Sequence, residues 1–277
     1  MKIAITGANG YIGSNLVKEC IKNGHEVIAV DFYDDNIDKK ATYIKSNIFE
    51  CDKDFFYKLS CPDVLIHLAW RNGFNHNNES HVNDLSKHYH FLKNMIESGV
   101  KYLSVMGTVH EIGYYEGKID ENVPCNPMSL YGIAKNALRQ MIELLIKDTN
   151  IYFHWLRAFY IIGDDLKSNS VFGKLLNSAK EGKKEFPLNS GKNKYDFINV
   201  QDLSCQILSA SIQSEINGII NVCSGEPISL GEKIEQFIKC KNLDIKVYYN
   251  VFPDRAYDSP IIYGDNYKIK KIMGRND

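Results

Sequence analysis

No apolar run in the 277-residue chain approaches the length of a bilayer span. The first residues read directly as a strand rather than as a leader peptide. A cytoplasmic protein with no membrane association is therefore expected. The seven cysteines (Cys20, Cys51, Cys61, Cys125, Cys205, Cys223 and Cys240) are scattered, with no CxxC pair and no His/Cys cluster at zinc spacing. This odd, unclustered set fits reduced thiols in a cytoplasm, several of them small core residues, and no metal site is expected. His76, His81, His88 and His90, interleaved with Asn75, Asn77, Asn78 and Asn83, read as a polar loop leading into a helix rather than as metal ligands. Neither sign of charge is in excess: 33 basic against 34 acidic residues leave a net charge of −1, which argues against a nucleic-acid or anionic-membrane partner. Internal repeats and low-complexity linkers are also absent.

What remains is the make-up of a soluble globular protein, 44% hydrophobic and 24% charged. Along it strands and helices alternate. Strands are expected at Lys2–Thr6, His25–Val30, Thr42–Lys45, Asp63–Leu68, Lys101–Met106 and Ile151–Leu156. Helices are expected after Gly13, at Asp54–Leu59, at Asp84–Ser98 with a stop at Gly99, and at Leu130–Lys147. This alternation predicts an α/β fold of the Rossmann type, a doubly wound parallel sheet. From about residue 164 the pattern loosens. Helices are expected at Val171–Lys180, Asp202–Ser214 and Leu230–Lys239, and extended segments at Asp196–Val200, Gly218–Cys223 and Lys246–Val251. The chain thus divides into a dinucleotide-binding domain, 1–163, and a smaller C-terminal α/β substrate-binding part, 164–277, with an approximate boundary and crossing between the two. Ligand sites favour such junctions.

Two motifs carry the chemistry. The first strand runs into Thr6-Gly-Ala-Asn-Gly-Tyr-Ile-Gly13, with Gly7, Gly10 and Gly13 spaced G-x-x-G-x-x-G, and a helical pattern follows. Glycines there let the backbone approach a pyrophosphate, and a helix N-terminus offers free N–H groups and a positive dipole end. The second strand ends at Asp31, 18 residues after Gly13, where a carboxylate accepts the adenosine ribose hydroxyls and repels a 2′-phosphate. Phe32, Tyr33, Asp34 and Asp35 follow without an Arg or Lys, so NAD(H) is favoured over NADP(H). Far downstream lies Tyr131-Gly-Ile-Ala-Lys135. At i and i+4 on a helix, phenol and ammonium share a face. The ammonium is expected to lower the Tyr131 pKa toward working pH, making it a proton donor or acceptor at a carbonyl or alcohol oxygen.

With His67-Leu-Ala69, Leu156-Arg-Ala-Phe159 and Asp196-Phe-Ile-Asn-Val-Gln-Asp202, these motifs resemble the extended short-chain dehydrogenase/reductase family from residue 1 to about 274. The resemblance implies a nucleotide-activated sugar as substrate and a nicotinamide cofactor in the N-terminal domain. Cofactor contacts are then expected from Gly7, Gly10, Tyr11, Ile12, Gly13, Asp31, Phe32, Asn47, Ile48, Leu68, Ala69, Trp70, Lys135 and Phe159. Tyr131 would be the general acid/base, and Lys135 would bind the nicotinamide ribose and tune it. The family's Ser or Thr at the end of the fifth strand falls on Met106 in one alignment and on Thr108 in another; Thr108 is preferred, because only its hydroxyl does the chemistry.

Where the dehydratase branch carries an Asp-Glu pair, this chain has Val109 and His110, which argues against a 4,6-dehydratase. Glu111 reads as a solvated loop carboxylate. The family's arginine ahead of the Asp-Phe-Ile strand is replaced by Tyr195, near Lys192 and Lys194. Arg255, ten residues before Asp265, is the expected diphosphate ligand, since its fork suits phosphate oxygens. Arg71, Thr108, His110, Tyr131, Tyr160, Phe172 and Tyr195 are the other expected substrate contacts, and Trp70 a sugar or base contact.

Ser104-Val-Met-Gly-Thr-Val-His-Glu-Ile-Gly113 and the segment Pro127–Lys135 are similar to bacterial dTDP-4-keto-6-deoxyhexose reductases. A nucleotide-sugar 4-ketoreductase is the leading expectation. A 4-epimerase with tightly held NAD is the alternative, and a non-catalytic dinucleotide-binding protein a third reading. The resemblance also implies a homodimer through the helix from about Asp84 and the helix bearing Tyr131.

Overall fold

The computed structural model describes residues 1–163, 170–255 and 258–274. In chain order the elements are β1 (Lys2–Thr6), α1 (Tyr11–Lys22), β2 (Glu26–Asp31), β3 (Thr42–Lys45), α2 (Phe55–Lys58), β4 (Val64–His67), α3 (Ser80–Asn83), α4 (Leu85–Ser98), β5 (Tyr102–Thr108), β6 (Gly117–Ile119), α5 (Leu130–Ile146) and β7 (Tyr152–Ala158). There follow β8 (Tyr160–Ile162), α6 (Val171–Lys180), β9 (Glu185–Pro187), β10 (Lys194–Asn199), α7 (Val200–Ser211), β11 (Gly218–Val222), β12 (Pro227–Ser229), α8 (Leu230–Cys240), β13 (Lys246–Tyr248), β14 (Ile261–Gly264) and α9 (Tyr267–Ile272).

Seven strands form one wholly parallel sheet in the order β11-β7-β5-β4-β1-β2-β3. Strand order reverses between β1 and β4, which opens a crevice at their carboxyl ends, where open α/β sheets bind ligands. Because successive side chains alternate across a strand, β1 serves two cores. Ile3 and Ile5 pack on one face with Leu16 and Val17 of α1 and Leu203 and Ile207 of α7. Ala4 points to the other face, into a cluster with Phe91 and Met95 of α4 and Leu138 and Ile142 of α5.

The rest of the chain is less regular. β12, β10, β14 and β6 form a second sheet, with β8 also paired to β10, and β9 pairs β13 separately. α6 and α8 close a third core over it through Phe172, Leu175, Ile234 and Phe237, together with Phe197 of β10. Asp196, fully buried, ties this layer together: it accepts the backbone N–H groups of Ser224, Gly225 and Gly264 at 2.8, 2.8 and 3.1 Å. The chain passes between the layers more than once, since β6 pairs with β14 in the small sheet and β11 with β7 in the large one. Residue 164, where the second part was expected to begin, lies outside the described residues. Helix α7 begins at Val200, which the sequence pattern assigned to a strand, because the Asn199 side chain caps it by accepting the Asp202 N–H at 2.8 Å. Among the described residues no helix is long and apolar enough to cross a membrane, and no group of three or more His, Cys, Asp or Glu is placed to hold a metal.

Candidate active site

The glycine turn lies at the β1 end of the crevice. Gly7 adopts φ +72° and approaches the next strand so closely that a Cβ would sit 2.7 Å from the Ala69 nitrogen. A Cβ on Gly13 would lie 2.1 Å from the Gly7 carbonyl oxygen, so the first turn of α1 packs directly on the loop. Gly10 caps α1 with no side-chain hydrogen bond, and no acidic residue occupies the first turn. The helix end therefore keeps its backbone donors and positive dipole for an anion. Asp31, at the end of β2, accepts the Asn9 N–H at 2.9 Å and the Phe32 N–H at 2.7 Å, one on each oxygen, which fixes the carboxylate beside the loop. A backbone cradle that a Cβ would fill, with a carboxylate fixed beside it, fits a dinucleotide. Leu68, Ala69 and Trp70 follow β4 on the adjoining side.

Other expected cofactor residues sit less directly. Asn47 caps a short 3-10 turn, accepting the Phe49 N–H at 3.2 Å, and the Ile48 side chain is buried in the core against α4. Phe159 is buried where the two layers meet. Tyr11 is half-buried, and its hydroxyl fills the space a Cβ on Gly163 would need, which pins the glycine loop to the segment leaving β8.

Thr108 ends β5 and Tyr131 and Lys135 lie on the first turns of α5. Ser129 caps that helix by accepting the Gly132 N–H at 3.2 Å. The segment after β4 completes the cap: the Tyr131 N–H donates to the His76 carbonyl at 2.9 Å and the Leu130 N–H to the Asn77 side chain at 3.3 Å. The Thr108 hydroxyl accepts the His110 N–H at 3.3 Å and lies near enough to the Tyr131 phenol to pull its pKa down. Met106, the other alignment's choice, buries its side chain in the core, and its carbonyl accepts a hydrogen bond from Lys135 Nζ at 2.7 Å. Lys135 is 2% exposed, and its ammonium lies 3.9 Å from the centre of a Trp70 ring.

One electrostatic expectation is overturned. Burial pushes the Tyr131 phenol up to about 12, the Thr108 hydroxyl pulls it down and the nearby Glu111 carboxylate raises it again. Lys135 does not lower it. Burial has brought Lys135 itself down to about 7, with Glu111 opposing, and its proton is committed to the Met106 carbonyl. Tyr131 is thus a protonated donor at neutral pH.

Glu111 is a second correction. It is not solvated but 0% exposed, because β7 supplies partners for it: Arg157 Nε donates to it at 2.5 Å and Trp155 Nε1 at 2.9 and 3.1 Å. Phe172 is a third. It is 2% exposed in the core between α6, α8 and β10, where its ring meets Phe197 and Phe237, so its side chain does not face a substrate.

Three of the other expected substrate residues, His110, Tyr160 and Tyr195, form an aromatic row. Tyr160 lies 4.6 Å from Tyr195 and 6.2 Å from His110, ring centre to ring centre. Arg255 is exposed and close enough to favour the Tyr195 phenolate electrostatically. Its expected companion Asp265 is instead bound to Lys118 at 3.0 Å. Arg71 is paired at 2.5 Å with the buried Asp84, which also holds Lys87.

Three histidines that sequence reasoning assigned no role gather here. The His76 ring lies nearly parallel to Tyr131 at 5.3 Å and 4.3 Å from His110. His81 is 5.2 Å from Tyr131 and accepts the Trp70 indole N–H at 3.0 Å, and His88 stacks on Trp70 at 4.3 Å. The run of histidines after Trp70 was the available signal; only folding brings it to α5.

Residues 3–223 match the NAD dependent epimerase/dehydratase family. A dTDP-6-deoxy-L-talose 4-dehydrogenase (NAD(+)) of Aggregatibacter actinomycetemcomitans is 47% identical over 269 residues, spanning 95% of this chain and 99% of that protein. A UDP-glucose 4-epimerase of Lactobacillus helveticus is 25% identical over 308 residues, spanning 99% and 91%. Among solved structures, a UDP-glucose 4-epimerase matches with a TM-score of 0.86 at 21% identity, over 100% of this chain and 92% of the other. A UDP-glucose 4-epimerase of Thermus thermophilus, in complex with NAD, matches at 0.82 and 20%, over 100% and 94%. At such identities the structures speak for the fold alone. Taken with the glycine cradle and the Thr108, Tyr131 and Lys135 cluster, these matches establish that the chain belongs to the NAD dependent epimerase/dehydratase family of extended short-chain dehydrogenases/reductases and is an oxidoreductase.

Proposed function

We propose that this enzyme catalyses NAD(H)-dependent exchange between ketone and alcohol at C4 of a dTDP-activated 6-deoxyhexose, working as a 4-ketoreductase. The observation that carries this reading is the Thr108 hydroxyl beside a protonated Tyr131, one helical turn from Lys135, on a chain 47% identical over 269 residues to a dTDP-6-deoxy-L-talose 4-dehydrogenase. Oxidation of the alcohol by NAD+ and reduction of the ketone by NADH are one equilibrium read in two directions.

The dinucleotide would be held by the Gly7–Gly13 loop, the N-terminus of α1 and Asp31, and it supplies hydride exchange at C4. The protein's part is orientation and proton handling. Tyr131 donates its phenolic proton to the C4 oxygen as the alcohol forms. Thr108 orients that oxygen and stabilises the phenolate left behind. Lys135, one turn further along α5, is proposed to hold the nicotinamide ribose. A phenol held up to about 12 is protonated across the neutral range, the form that reduction of the ketone draws on. Arg255, with Tyr195 and Tyr160, is proposed for the diphosphate and sugar end, and a homodimer through α4 and α5 belongs to the same reading.

The second reading, a 4-epimerase, is favoured by the similarity to UDP-glucose 4-epimerases. Incubation with dTDP-4-keto-6-deoxyglucose separates the two. One NADH consumed per sugar reduced supports the reductase. Conversion of a C4 alcohol to its epimer with no net cofactor change would replace it. NADPH used as fast as NADH would contradict the role given to Asp31.

A further inference from the structure

Among the described residues, Lys135 finds no carboxylate partner for its buried charge. Its ammonium donates to one backbone carbonyl, that of Met106, and otherwise faces the Trp70 indole at 3.9 Å. A cation over an indole is attracted by the negative ring face, and most strongly where water is excluded. The indole is held in turn. Its N–H donates to His81 Nδ1 at 3.0 Å, and the opposite nitrogen of His81 donates to the Asn75 carbonyl at 2.9 Å, so His81 is an oriented acceptor. His88 stacks on the indole at 4.3 Å and 10° and is hydrogen-bonded to His67 at 2.9 Å, which is bonded to Thr6 at 2.8 Å. A chain of neutral groups thus runs from the end of β1 to the indole.

We propose that Trp70 is a positioning residue for Lys135: its indole, clamped by His81 and His88, holds the ammonium on the Tyr131 side of the crevice and keeps it protonated in place of a counter-ion. This rests on Lys135 acting as proposed above, and it gives Trp70 a task distinct from sugar or base contact. The titratable groups around the ammonium are His67 of β4, His88 of α4, Glu111 after β5 and Tyr131 one turn earlier on α5. Burial holds both histidines well down, so they add no competing charge, and Glu111 is committed to Arg157. A Lys135 pKa near 7 places the ammonium where loss of the indole face would discharge it at neutral pH.

The test is the titration of Lys135 by NMR of the full chain carrying 13C-labelled lysine, with the signal assigned by its loss in Lys135→Met. Neither substrate nor turnover is needed. In Trp70→Leu the Lys135 pKa should fall by about one unit, the high-pH limb of kcat should move down with it, and KM for the nucleotide sugar should stay close to the parent's. Trp70→Phe, which keeps a weaker aromatic face, should recover part of both shifts. An unchanged Lys135 pKa in Trp70→Leu, or Phe and Leu variants that behave alike, would overturn the proposal. Parental turnover by Lys135→Met would instead contradict the catalytic reading, and the titration would still report whether Trp70 holds the charge.

Discussion

Two cations are buried beside the same carboxylate, and the protein treats them in opposite ways. Arg157, on β7, is 0% exposed and spends its guanidinium on Glu111, the Asp120 carbonyl and the Cys125 sulfur. Lys135, on α5, is 2% exposed and has a carbonyl and an indole face but no anion of its own among the described residues. A paired buried charge is costly to break and chemically quiet, whereas an unpaired one has its proton affinity set by its surroundings. Glu111 thus completes a structural ion pair that spans the end of the large sheet, while Lys135 is left tunable one turn from Tyr131, the proposed proton donor. The difference supports assigning Lys135, and not Arg157, to the proposed chemistry.

The comparison can be broken most forcefully at Arg157. Arg157→Leu strands Glu111 without its partner and should cost about 3–5 kcal/mol of stability; a urea midpoint equal to the parent's would show that the pair is not structural. Lys135→Met should behave conversely, losing about 100-fold in kcat while raising stability. The sign follows from the lowered pKa: between about 7 and the ordinary 10.5 the unfolded chain binds the proton and the folded one does not, so stability rises with pH across that window. The penalty is full below pH 7, where Met gains most, and the gain should fade toward pH 10.5. Thermal midpoints that drop at every pH would contradict this.

His67 and His88 avoid charge altogether. Burial holds them neutral, His88 down to about 3, so their contribution is present above pH 6.5 and is lost as acid protonates the unfolded chain. The pair should cost about 2 kcal/mol by pH 6 relative to pH 8, an acid slope that a His67→Gln, His88→Gln variant should flatten. The smallest effect is expected far from either cation. Asp31→Ala should raise NADPH use relative to NADH about tenfold, and an unaltered ratio would remove Asp31 from cofactor choice.

The large sheet was legible because its signals are local. Apolar runs such as Lys2–Thr6 and Asp63–Leu68 announce buried strands, and the glycine spacing, Asp31 and the Tyr131/Lys135 pair each sit within one element or its end. Of the small sheet only its central strand, expected at Asp196–Val200 and found at Lys194–Asn199, was legible. Gly117–Ile119, Tyr160–Ile162, Pro227–Ser229 and Ile261–Gly264 are strands of three or four residues, too short to show a period, and they exist through pairing with distant segments. Helix α9 escaped notice for the same want of length. Glu111 failed for a related reason: the partners that bury it arrive 44 and 46 residues later, on β7. The Tyr131 pKa misled because spacing alone places phenol and ammonium on one face, whereas burial and the Met106 carbonyl decide their proton affinities. His76, His81 and Trp70 matter only once the segment after β4 has folded onto α5.

The central claim, that Tyr131 delivers the proton in a nicotinamide-dependent reduction at C4, is tested most directly by following reduced-nicotinamide absorbance with dTDP-4-keto-6-deoxyglucose for the parent and for Tyr131→Phe. The account predicts stoichiometric NADH loss with the parent, and a rate lower by about 1,000-fold in the variant, with NADH binding retained. Parental NADH consumption by Tyr131→Phe would contradict it.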